Sequence, residues 1–224
     1  MVSQRDIETN PNKIRAIVEM APLKNVKEVQ SLNGKVATLN RFVSRATDKC
    51  LPFFHTLKKS FKWTVECQRA FEELKAYLSS PPLLSPSQPG EELFLYLVAS
   101  PVAVSAALVR EEGKVQKLVY YASRAFRGVE ERYPPMEKLT FALVTATHKL
   151  KPYFQAHTVI VLTDKPLWRV MSNPEATGRL ALWAIELSEF DIQYLPCTAI
   201  KGQVVTDFIV EFTNGEDKGA NEGL

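Results

Sequence analysis

Cysteine is scarce in this 224-residue chain: Cys50, Cys67 and Cys197 are odd in number and far apart. They fit reduced, buried thiols better than a disulfide framework or a zinc site. Histidine is equally sparse, and His55, His148 and His157 have no metal-ligand spacing. No apolar run approaches the ~20 residues of a membrane span, and the N-terminus has no signal-peptide pattern. The expectation is an intracellular protein, in cytoplasm or nucleus, neither secreted nor membrane-bound. Charge of one sign is also lacking, since the net charge is only +3. What remains is ordinary globular material, 46% hydrophobic and 24% charged, enough for one large domain or two small ones.

The charge is unevenly spread. Residues 1–88 hold 14 Lys and Arg against 8 Asp and Glu, whereas residues 89–224 hold 14 against 17. A basic first part suits a phosphate backbone, and it also suits an ordinary solvated helix surface.

The pattern divides in the same place. Asn10-Pro11 is a helix start, Asn25 caps a second helix, and Thr64 caps a third. Val26, Val29, Leu32, Val36, Leu39 and Val43 form a long stripe in the second helix, and a shorter helical piece follows Pro52. Cys67, Phe71, Leu74 and Leu78 line one face of the third. Residues 1–80 thus read as an all-helical unit. Residues 81–90, rich in Pro and Ser, read as a linker. Short apolar strands are then predicted over 93–99, 102–110 and 115–123, a helix over 133–151, a strand over 157–162, a helix over 176–189, a strand over 190–195 and a last helix over 203–212. This order predicts an α/β fold, a mixed five-stranded sheet with helices on it. Residues 213–224 are polar, Gly-rich and predicted to be disordered.

Two acids fall at informative places. Glu137 lies in the first turn of the 133–151 helix, and Asp164 follows the 157–162 strand. Each has an ordinary explanation: an acid complements the positive end of a helix, and Asp is a common turn and capping residue. In an open α/β sheet, however, strand ends are where ligands bind.

The order and spacing of several stretches carry a resemblance. They are Val26-Lys27-Glu28-Val29-Gln30-Ser31-Leu32, Asn40-Arg41-Phe42, Val119-Tyr120-Tyr121-Ala122-Ser123-Arg124, Tyr133-Pro134-Pro135-Met136-Glu137-Lys138-Leu139, Leu162-Thr163-Asp164-Lys165-Pro166-Leu167 and Thr206-Asp207-Phe208-Ile209. Over about residues 1–212 the chain resembles the C-terminal part of reverse transcriptase in gypsy-type long-terminal-repeat retrotransposons, particularly plant ones. The resemblance implies a helical thumb over 1–80 and an RNase H-like domain over 91–212. The family's polymerase motif Tyr-x-Asp-Asp does not occur here.

Members of this family cut RNA in an RNA–DNA hybrid with two Mg²⁺ or Mn²⁺ ions held by four carboxylates. Two such ions activate the attacking water and stabilise the leaving oxygen, and hard cations call for oxygen ligands. On the resemblance, three of those ligands match Glu137, Asp164 and Asp207. The fourth, the first-strand Asp that bridges both metals, falls on Val98 in Leu97-Val98-Ala99-Ser100. Valine offers no lone pair. Glu91, Glu92, Glu111 and Glu112 sit at strand ends several residues away. The expectation is therefore a kept fold with a vestigial site: a retrotransposon polyprotein-derived, non-catalytic scaffold associated with nucleic acid, with an RNA–DNA hybrid or a reverse transcriptase polymerase domain as partner. The alternative is a weak metal-dependent RNase H-type endonuclease.

Overall fold

The computed structural model describes residues 6–58, 61–172, 178–197 and 208. Its first part is helical, and the caps lie where the sequence puts them. The Asn10 side chain accepts the Asn12 N–H at 2.9 Å and Pro11 opens α1 (Pro11–Val18). The Asn25 side chain accepts the Glu28 N–H at 3.0 Å and opens α2 (Val26–Thr38). Such caps satisfy donors that the first turn leaves free.

The stripe expected to run to Val43 is interrupted. Helix α2 ends at Thr38, a 3-10 turn follows at Asn40–Phe42, and Arg45 adopts a left-handed backbone (φ 49°) before α3 (Ala46–Lys49). Packing explains the break. Leu39 and Val43 belong to the helical core, whereas Phe42 belongs to a cluster on the sheet. Two helices complete this part, α4 (Leu51–Lys58) and the Thr64-capped α5 (Val65–Ser79). Phe53 stacks on Trp63 with ring centroids 6.0 Å apart, and Phe71 meets both rings edge-on.

The middle of the Pro- and Ser-rich stretch over 81–90 is packed in place. Leu84 is buried and bridges to Ile7, and Ser85 donates its N–H to the Leu118 carbonyl at 2.6 Å.

The sheet contains β1 (Leu93–Ala99), β2 (Ala103–Glu112), β3 (Val115–Ala125), β4 (Val159–Leu162) and β5 (Ile192–Leu195), in the order β3-β2-β1-β4-β5. Strands β1, β2 and β3 are antiparallel neighbours; β4 and β5 extend β1 in parallel. Strand β3 forms one end of the sheet, and the Ser85 N–H occupies its Leu118 carbonyl, which blocks part of that edge from pairing with another chain.

Helix α6 (Pro135–Lys149) crosses between β3 and β4. Its residues Thr140 to Thr147 are all buried, so it does not have the solvated face that a surface helix shows. One side meets the sheet; the other meets α9 (Arg179–Leu187). Two short helices, α7 (Lys151–Ala156) and α8 (Leu167–Met171), were not foreseen from periodicity, which needs a longer window than five or six residues.

Side chains alternate between the sheet's faces. Leu93 and Leu95 join Leu143, Val144, Leu150, Val159 and Val161 beside α6. Tyr96 and Val98 join Ala107, Val109, Leu118 and Tyr121 in a second cluster that includes Phe42, Leu84 and Phe208. The helical part is thereby anchored to the sheet. Of the late helix expected over 203–212, only Phe208 is described, and it is helical. Asp207 and the tail over 213–224 lie outside the described residues.

Candidate functional site

Glu137 lies in the first turn of α6, behind Pro134 and Pro135. Its carboxylate faces a side-chain cation. Arg179 Nε, at the first position of α9, is 3.0 Å from Glu137 Oε2. The contact is ionic rather than an aligned hydrogen bond, since Oε2 is closed to solvent without a hydrogen-bond donor. The Glu137 side chain is 20% exposed and that of Arg179 46%. The guanidinium also covers the Tyr133 ring, 4.2 Å from its centroid. Tyr133 in turn touches Phe141 and Trp183, each with centroids 6.0 Å away.

Asp164 follows β4 at the carboxyl end of the strand, as expected, and is exposed. Its Oδ1 accepts the Cys197 N–H at 3.0 Å, while Thr163 N–H donates to the Leu195 carbonyl at 3.0 Å. Asp164 therefore clasps the ends of β4 and β5. Burial pushes the Cys197 thiol pKa up, and the Asp164 charge adds to that.

Val98 is next to last in β1 and 7% exposed. It pairs directly with Ser105 on β2, and Ser105 pairs with Ser123 on β3. Directly paired residues share a face, so the three form a row across the sheet. The Ser105 hydroxyl is buried without a partner. The Ser123 hydroxyl lies 3.0 Å from Thr47 Oγ1, on α3. Phe208, which follows Asp207 in sequence, is fully buried in the same cluster as Val98 and stacks on Tyr121 at 5.8 Å.

One carboxylate not singled out in the sequence does reach the end of β1. Asp48 Oδ1 accepts the Ser100 hydroxyl at 2.7 Å, and its Oδ2 lies 3.1 Å from Arg45 Nε. Its side chain is 16% exposed, and both oxygens are engaged. Nothing in the sequence around Asp48 marks it, because its partner is 52 residues away. Arg179 did leave a signal: a cation in the first turn of a helix opposes the helix dipole, and α9 has no acid there.

The other acids are held elsewhere. Glu91 pairs with Arg110 at 3.0 Å, and Arg110 also meets Glu112. Arg110 lies opposite Leu93, five residues along β1 from Val98, or roughly 17 Å at strand rise. His148 pairs with Glu186 on α9, and Phe141 packs among Phe126, Tyr133 and Trp183.

The described donors do not gather as a two-metal centre would: Val98 is a hydrocarbon, and the Arg179 guanidinium closes over Glu137. Among the described residues, no three or more His, Cys, Asp or Glu side chains gather to hold a metal. The arrangement ties helix ends and strand ends together. Among the described residues no helix is long and apolar enough to cross a membrane.

Comparisons with known proteins agree with this fold. The retrovirus-related Pol polyprotein from transposon 412 of Drosophila melanogaster is 32% identical over 187 residues, covering 82% of this chain and 14% of the polyprotein. That from transposon opus of the same species is 25% identical, covering 87% and 21% respectively. The transposon Tf2-3 polyprotein of Schizosaccharomyces pombe is 26% identical, covering 88% and 16%. The chain thus spans about a fifth or less of these relatives. Among solved structures, the foamy viral protease-reverse transcriptase in complex with dsDNA superposes with a TM-score of 0.72 at 22% identity, over 86% of this chain and 42% of the other. The same enzyme with an RNA/DNA hybrid gives 0.70 at 21%, over 85% and 27%. Residues 63–161 match the family described as the RNase H-like domain found in reverse transcriptase, and the chain accordingly carries an RNase H-like domain of the reverse-transcriptase kind, as retrotransposon polyproteins do.

Proposed function

We propose that this chain is the thumb-to-RNase H region of a gypsy-type long-terminal-repeat retrotransposon reverse transcriptase, of plant origin, and that it serves as a non-catalytic scaffold on nucleic acid inside the cell. In this reading residues 1–80 are the thumb-like unit, 81–90 the connector, 91–212 the RNase H-like domain and 213–224 the tail that follows it. An RNA–DNA hybrid is the ligand, and the polymerase domain of a reverse transcriptase is the protein partner. Glu137, Asp164 and Asp207 are vestiges of a carboxylate set that held Mg²⁺ or Mn²⁺. The observation that carries the reading is Val98, a buried hydrocarbon in β1 where the resemblance requires the shared ligand. Losing even a partner of a metal ligand costs about 10–100-fold in affinity or activity, and losing a bridging ligand costs more. The basic surplus of residues 1–88 supports contact with phosphates.

The test incubates the pure chain with a labelled RNA–DNA hybrid in Mg²⁺ and in Mn²⁺, and titrates binding at two salt concentrations. The expected result is salt-sensitive binding without cleavage. Metal-dependent cleavage lost in Asp164→Asn would overturn this reading in favour of a residual RNase H-type endonuclease using Glu137, Asp164 and Asp207. The retained acids at 137 and 164 favour that second reading. Absence of any salt-dependent binding would point instead to a fold kept without a ligand.

A further inference from the structure

Two kinds of cation can neutralise Glu137, a bound metal or a basic side chain, and this chain supplies the second. Arg179 Nε is 3.0 Å from Glu137 Oε2, and the guanidinium lies over Tyr133. Tyr133 is braced by Phe141 and Trp183. A planar, permanently charged guanidinium suits a place between a carboxylate and an aromatic ring. Oε2 is already shut off from solvent. A hydrated Mg²⁺ ion dehydrates reluctantly and keeps several waters, so it meets both a filled space and a fixed positive charge there.

We infer that Arg179 is the resident counter-cation of Glu137, so that the carboxylate set is disabled twice: by the missing ligand at 98 and by a built-in cation at 137. The inference deepens the non-catalytic reading and rests on it. Restoring the acid at 98 alone leaves the second obstacle in place.

The test is a Mn²⁺ titration of the full chain, read by paramagnetic broadening of the backbone amide signals of Met136, Glu137 and Lys138. Wild type, Val98→Asp, Arg179→Ala and the double variant are compared. Arg179→Ala should broaden these signals at about 10-fold lower Mn²⁺ than wild type. The double variant should respond at lower Mn²⁺ still, and Val98→Asp should behave like wild type. The idea is overturned if Arg179→Ala matches wild type, or if Val98→Asp alone matches the double variant. A carboxylate at buried position 98 can unfold β1, and the comparison of Arg179→Ala with wild type is decisive without it. Cleavage of a hybrid by wild type with no Mn²⁺ effect at Glu137 would sink the non-catalytic reading and the disabled carboxylate set, and leave only Arg179 as the counter-cation of Glu137. Tight Mn²⁺ binding at Glu137 in wild type would sink both.

Discussion

Ser100 donates its hydroxyl to Asp48 Oδ1 at 2.7 Å, joining the turn after β1 to helix α3 across 52 residues of chain. The same hydroxyl oxygen accepts the Ala103 N–H at 3.0 Å, and Asp48 also pairs with Arg45, whose backbone is left-handed. A hydrogen bond to a mostly buried charge contributes about 1.5–3 kcal/mol. Asp48→Ala should therefore lower unfolding stability by about 2 kcal/mol in urea titrations. A change under about 0.5 kcal/mol would mean that the helical part and the sheet are not coupled through this pair.

Phe208 tests whether the C-terminal segment is part of the folded unit. It is fully buried against Tyr121, in the cluster that contains Val98 and Phe42. Truncating a buried aromatic costs about 3–5 kcal/mol. Phe208→Ala is expected to lose that amount, and exchange protection should drop along β1 and β3. An unchanged denaturation midpoint would remove Phe208 from the core.

Alkaline pH should destabilise the fold. Burial pushes the Tyr194 phenol up from 10.0 to about 12. Burial does the same to the Cys50 thiol, from 9.0 to about 12, against a smaller opposing pull from Lys49. Both groups keep their protons in the native state at pH values where the unfolded chain has released them. Their contribution is complete below pH 9 and is lost as pH rises from 9 towards 12, by up to ~1.4 kcal/mol per pH unit for each group. Urea midpoints measured from pH 8 to 11.5 should fall, and Tyr194→Phe should flatten the part of the curve above pH 10. A flat wild-type curve refutes the assignment. Cys50 should also resist alkylation at pH 8 until the protein unfolds, since the thiolate is the reactive form.

A cavity with two cations in its lining lies at the junction between the helical part and β3. Thr38, Asn40, Arg41, Tyr120 and Lys149 line it, and its volume is about 250 Å³. Burial lowers the Lys149 pKa, and the Arg124 charge lowers it further, as expected where cations crowd together. If a nucleic-acid backbone runs along this edge, Arg41→Ala should weaken hybrid binding and reduce the salt slope by about 0.7–0.9. An unaltered slope would place the backbone elsewhere.

Much of this protein was legible from local signals. The caps at Asn10, Asn25 and Thr64 set helix starts, because a side-chain oxygen and the donor it satisfies lie two or three residues apart. Short apolar runs marked the strands, including the bounds of β1. The identity of residue 98 was likewise plain in the sequence, a valine where the resemblance implies a shared carboxylate. Tertiary structure decided what depends on distant partners. It bent the Val26–Val43 stripe so that Leu39 and Phe42 serve different cores. It buried α6 on both sides, and it brought Asp48 to Ser100 and Arg179 to Glu137. Caps and periodicity act within a few residues of chain, whereas which charge meets which carboxylate is set only when separate elements pack.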